Sequence, residues 1–147
     1  MKRIITYLLP VLLIGWSGLL SCENDDPAVP SAQDEAFEKL SGDWDLENGG
    51  SILLDGQDVS LNYAGFSLSF ADGTYQTVNA GELFDASGTW QWTDEIAQQI
   101  TLGDGKIITI LELNEIEFRF SFTYNSGGGV ANGVDGVSGN YEITVFK

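Results

Sequence analysis

Nine consecutive residues, from Ile116 to Tyr124, alternate without a break. Ile116, Phe118, Phe120, Phe122 and Tyr124 face one way, and Glu117, Arg119, Ser121 and Thr123 face the other. A period of two is the period of a strand, so this stretch sets an aromatic face against a core and a polar face against water. Phe66, Leu68 and Phe70 alternate with Ser67 and Ser69 in the same way, and Trp90 and Trp92 alternate with Thr89, Gln91 and Thr93. The pattern predicts strands over residues 42–47, 51–54, 59–63, 66–70, 74–79, 88–93, 98–102, 106–113, 116–124 and 140–146. Asp72-Gly73 and Asp104-Gly105 supply the positive backbone angles of tight hairpins, and Asn114-Glu115 is a third compact reversal. Helix signals are nearly absent.

The expected class is therefore all-β. About eight to ten strands joined by short reversals can close into an antiparallel up-and-down barrel, which leaves no exposed sheet edge. A two-sheet β-sandwich is the alternative. Residues 125–139 break the rhythm with six glycines, and a loop of that length usually carries function or lacks fixed structure. We expect it to border the barrel mouth.

The amino-terminal segment obeys different rules. Lys2 and Arg3 precede an apolar run from Ile4 to Leu20, the layout of a secretory signal. The run is short for a membrane span, contains Pro10, Gly15 and Gly18, and leads into acidic residues. Leu19-Leu20-Ser21 and the single cysteine, Cys22, resemble a bacterial lipobox. The resemblance implies cleavage after residue 21, a diacylglycerol on the Cys22 sulfur and acylation of the new amino group with palmitate or a similar chain. Two or three chains anchor durably where one is marginal. The acidic run Glu23-Asn24-Asp25-Asp26 resembles the signal by which some lipoproteins of Bacteroidota reach the cell surface, although a solvated linker fits the same residues. The expected organisation is a signal peptide over residues 1–21, a flexible acidic tether over 22–36 and a β-barrel domain over 37–147.

All 22 acidic residues follow the cleavage point, against four basic ones, giving the predicted mature chain a formal charge of −18. A nucleic-acid role needs a basic face, and Lys39, Lys106, Arg119 and Lys147 are scattered. One cysteine excludes an intrachain disulfide, so the domain must stand on its hydrophobic core.

Three local patterns taken together resemble the lipocalin-like, or calycin-like, lipoproteins of Bacteroidota. They are Leu40-Ser41-Gly42-Asp43-Trp44, Phe70-Ala71-Asp72-Gly73-Thr74-Tyr75 and Ser87-Gly88-Thr89-Trp90. The Gly42-x-Trp44 spacing is similar to the lipocalin hallmark. That similarity implies a glycine permitting a tight entry and a tryptophan closing one end of a barrel.

Candidate chemistry is narrow. With no histidine, and with the one thiol expected to be lipidated, Ser-His, Cys-His and histidine-zinc arrangements are excluded. Carboxylate pairs such as Asp94-Glu95, Glu115 with Glu117 and Asp43 with Asp45 have the composition a glycosidase needs, but in so acidic a chain they read as solvated turns. The glycine-rich loop lacks the helix and lysine of a phosphate loop and the charges of a calcium site. We therefore expect no enzyme activity, cofactor or metal.

The remaining candidates are aromatic: Trp44, Trp90, Trp92, Phe118, Phe120, Phe122 and Tyr124. They can line a cavity for a small apolar or amphipathic ligand, although rings at strand spacing serve more often as plain core. The expected function is thus ligand binding by a lipoprotein anchored to the outer membrane, with surface exposure implied by the acidic signal. A carbohydrate-binding module and an envelope scaffold without ligand are the alternatives.

Overall fold

The computed structural model describes residues 29–126 and 136–147. The signal segment, Cys22 and the centre of the glycine-rich loop lie outside them. In order, the elements are helix α1 (Ala32–Leu40) and strands β1 (Gly42–Asp45), β2 (Ser51–Leu54), β3 (Gln57–Asp58), β4 (Ser67–Ala71), β5 (Thr74–Val78), β6 (Ser87–Trp92), β7 (Gln99–Leu102), β8 (Ile107–Leu113), β9 (Glu117–Tyr124) and β10 (Gly139–Phe146).

Strands β4 to β10 form an uninterrupted antiparallel meander, and β1 pairs with both β4 and β10. Eight strands thus close into the expected up-and-down barrel, and the sandwich alternative is excluded. The seam is Trp44↔Leu68 and its neighbours on one side and Asp45↔Phe146 on the other. β2 continues along β10 from Thr144↔Ser51 to Tyr141↔Leu54, so β1 and β2 act as two halves of one bent strand. The bend needs Gly50: a Cβ there would meet the Leu46 Cα at 2.6 Å. Gly42, at φ +116°, makes the tight entry that its place before Trp44 implies.

The strand polarity gives the barrel two distinct ends. One holds α1 together with the β4–β5, β6–β7 and β8–β9 turns and Lys147. The other holds the β2–β3 hairpin, residues 79–86 between β5 and β6, the β7–β8 turn and both limbs of the β9–β10 loop.

α1 corrects the expectation that residues up to 36 form a tether. Ser31 and Asp34 make a capping box, with Asp34 N donating to Ser31 Oγ and Ser31 N donating to Asp34 Oδ2. This satisfies backbone donors that a helix start would otherwise leave open. Leu40 is fully buried and Phe37 packs on the core, so the helix stoppers its end of the barrel. Beneath it, Trp44 Nε1 donates to Leu40 O at 2.8 Å, and Lys147 Nζ sits 4.3 Å from the Trp44 ring while donating to Lys39 O and Ser41 O.

Two further expectations change. Residues 60–63 form a 3-10 turn rather than a strand, because Asp58 Oδ1 accepts from both Ser60 N and Ser60 Oγ and winds the chain. Tyr63 is thereby buried and Leu61 left outside. Ile116, expected on the inner face, is 65% exposed. Asn114 Oδ1 accepts from Ile116 N and Glu117 N, which holds Ile116 in the turn and starts β9 one residue later.

Candidate functional site

The seven aromatic candidates do not line one cavity; the fold divides them among three places. Trp44, Phe118 and Phe120 have no exposed surface. Phe118 lies 5.6 Å from Trp44, 6.0 Å from Phe70 and 4.6 Å from Phe120, and Phe120 stacks in turn on Phe122 at 6.3 Å. Phe84, from the β5–β6 connection, enters between them and lies 4.9 Å from Phe122. At these separations the rings touch one another, and the middle of the barrel is occupied by its own side chains.

Trp90 and Trp92 go to the helix-capped end. Trp90 is buried, its Nε1 donating to Ala71 O at 2.8 Å and to Thr74 O at 3.0 Å. Trp92 meets it edge-on at 5.1 Å and keeps part of its surface exposed. With Phe37, Gln33 and Asp72 they border a shallow side cleft of about 320 Å³.

Phe122 and Tyr124 go to the opposite end, where the larger cleft opens. It measures about 910 Å³ and is bordered by Asp85, Asp104, Lys106, Thr123, Tyr124 and Asn140, among others. Each wall has a local cause. The Asp104-Gly105 turn, with Gly105 at φ +88° and Asp104 Oδ1 accepting from Lys106 N, brings Lys106 across the mouth. Thr77 Oγ1 donates to Asp85 O at 2.9 Å and Thr77 N to Ala86 O, which pins the β5–β6 connection over the rim. Thr123 Oγ1 donates to Asn140 Oδ1, while Asn140 N donates to Asp55 Oδ1, tying β9, β10 and the β2–β3 hairpin together.

Lys106 is the centre of this end. Its side chain is only 12% exposed, its Nζ donates to Leu83 O, and it lies 3.4 Å from Asp104 Oδ2. The ammonium sits 4.7 Å from the Phe84 ring, 5.7 Å from Phe122 and 6.0 Å from Tyr124, within range of cation–π attraction. Burial pushes the Tyr75 phenol above its ordinary range, and the nearby charges of Asp104 and Asp85 add to the shift.

The sequence reading did not single out Lys106 or Phe84. Lys106 nonetheless shares the parity of Ile108, so an inward position was readable from β8. Phe84 lies in a short apolar pair, Leu83-Phe84, between Glu82 and Asp85, a pattern with no period to reveal which way it points.

The carboxylate pairs lie elsewhere. Asp45 Oδ1 accepts from Glu47 N and Asp94 Oδ1 from Gln98 N, both as turn formers, and none of the pairs borders either cleft. Arg119 projects from the outer wall, 3.9 Å from Glu142. Among the described residues no three acids come together in a way that could hold a metal ion, and no helix is long and apolar enough to cross a membrane. A scan against models of known protein families gives no match to the chain, and neither does a search of curated proteins.

Proposed function

We propose that the chain is a non-enzymatic, lipocalin-like lipoprotein of the cell envelope, held to the outer membrane through lipid on Cys22, and that it binds a small amphipathic molecule at the end of the barrel that carries Lys106. The observation that carries this reading is the division of space. The barrel centre is filled by stacked rings, while the cleft of about 910 Å³ offers aromatic surface from Phe122 and Tyr124 beside hydroxyl, amide and carboxylate groups. Apolar area covered there contributes roughly 25 cal/mol per Å², and the polar rim orients what is bound. That none of the carboxylate pairs borders either cleft supports binding rather than catalysis.

A glycan is the second reading. It is favoured by the polar half of the cleft, where Asp85, Thr123 and Asn140 can meet hydroxyls while Tyr124 offers a ring face.

Native mass spectrometry of the full chain, gently purified from its own envelope, tests both. A co-purifying small molecule that is lost from Tyr124→Ala supports the proposal, and its chemical class separates amphiphile from glycan. Repeated preparations without bound mass, together with unchanged behaviour of the variant, would leave the scaffold reading instead.

A further inference from the structure

We propose that the anchored barrel stands with its helix-capped end toward the bilayer and presents the Lys106 cleft to the aqueous phase on the far side. The inference rests on the lipidation of Cys22 proposed above, and its ground is the strand polarity together with the length of chain between anchor and fold. Ser31 starts α1, and α1 stoppers the end that also carries the β4–β5, β6–β7 and β8–β9 turns. Eight residues, Glu23 to Pro30, separate Cys22 from Ser31, and the Cα steps that join the two can span ~30 Å at most.

The wall they would have to pass takes up most of that reach. The eight residues of β9 rise ~27 Å along the strand, or ~20 Å along the axis of a barrel with the usual strand tilt, and the loops of the cleft end add to that. Bringing the cleft to the bilayer would therefore require the linker to be drawn out along most of the barrel, at a cost in chain entropy. With the helix end down, the same linker needs only a fraction of its reach.

Acids stand at both ends, Asp55, Asp58, Glu82, Asp85 and Asp104 at the cleft and Asp34, Glu35, Glu38, Asp72, Asp94, Glu95 and Glu115 at the helix end beside Lys39 and Lys147, so the length of the linker and not charge sets the orientation. With the helix end down, a ligand reaches the cleft dissolved or displayed beyond the membrane, rather than by lateral entry from the leaflet that holds the anchor.

Energy transfer to lipid headgroups tests the orientation. Ile96, 63% exposed in the β6–β7 turn, and Leu61, 94% exposed at the cleft end, are replaced singly as Ile96→Cys and Leu61→Cys in the full chain. The lipid blocks Cys22, so a fluorophore reaches the new thiol alone. Each protein is purified with its lipid and placed in phosphatidylcholine vesicles carrying a headgroup acceptor. Transfer from position 96 is expected to exceed that from position 61 several-fold, and a second pair, Glu95→Cys and Ser87→Cys, is expected to repeat the order. Equal or reversed transfer on an acylated, vesicle-bound chain overturns the orientation while leaving the anchoring intact. A chain whose mass shows no acyl group and which vesicles do not hold overturns the anchoring, and the orientation with it.

Discussion

Trp44 is in contact with the helix, the last residue and the aromatic stack at once. Its indole N–H satisfies Leu40 O, its face lies under the Lys147 ammonium, and its ring abuts Phe118. Truncating it opens a void that α1 and β9 cannot both fill. Trp44→Ala is expected to lower stability by ~3–5 kcal/mol in urea unfolding. Trp44→Phe, which keeps apolar bulk but leaves Leu40 O without its donor, should cost ~1–3 kcal/mol. An unchanged stability in Trp44→Phe would count against the hydrogen bond, and equal losses in the two variants would count against the packing. At this scale the sequence was informative wherever a side chain followed strand parity, as Phe118, Phe120 and Phe122 do. It misled at Ile116, where an asparagine carboxamide captures two backbone donors and ends the parity one residue early. It was silent on Phe84, whose direction depends on a connection with no period at all.

Helix α1 illustrates the element scale. Its start is written as Ser31-x-x-Asp34, and the side chains it turns to the core, the half-buried Phe37 and the buried Leu40, stand three apart on one face. Both signals were present, but Pro30 and the acids beside them resemble a solvated linker, and a nine-residue helix is marginal without the barrel to pack against. The Ser31 side chain and backbone bonds hold the Asp34 carboxyl below its usual value of 3.8. A group with a depressed folded-state value contributes stability above its unfolded value and loses it as pH falls through the depressed one. The capping contribution is therefore complete above pH 3.8 and disappears on further acidification. Circular dichroism across that range should show Asp34→Asn with a shallower acid loss than the parent chain. A parallel acid limb in both proteins would remove Asp34 from the account. The strand expected over 59–63 failed for a related reason, since Asp58 gathers both the amide and hydroxyl of Ser60 and starts a turn where alternation alone suggested extension.

The whole molecule carries an acidic wall around an aromatic core. With 22 acids and six basic residues in the full sequence, self-repulsion opposes compaction. Raising salt from about 0.01 to 0.15 M shortens the screening length from ~30 to ~8 Å. The melting temperature is expected to rise by ~2–5 °C over that range; a flat response in calorimetry would mean the charges are spaced too widely to matter. The barrel itself was legible from hairpin turns and alternation, because each reversal is a local event. The cleft was not, because it is made by three connections that meet only after closure.

Closure also fixes the order in which the chain can become itself. The seam Asp45↔Phe146 joins the first strand of the barrel to the last, roughly a hundred positions apart in the chain, and contacts of that separation form slowly. Until β10 is available, β9 keeps an open edge and β2 lacks the long strand it lies along. A polypeptide of this design stays unlatched for as long as its tail is withheld, and the ring shuts only when the last strand arrives.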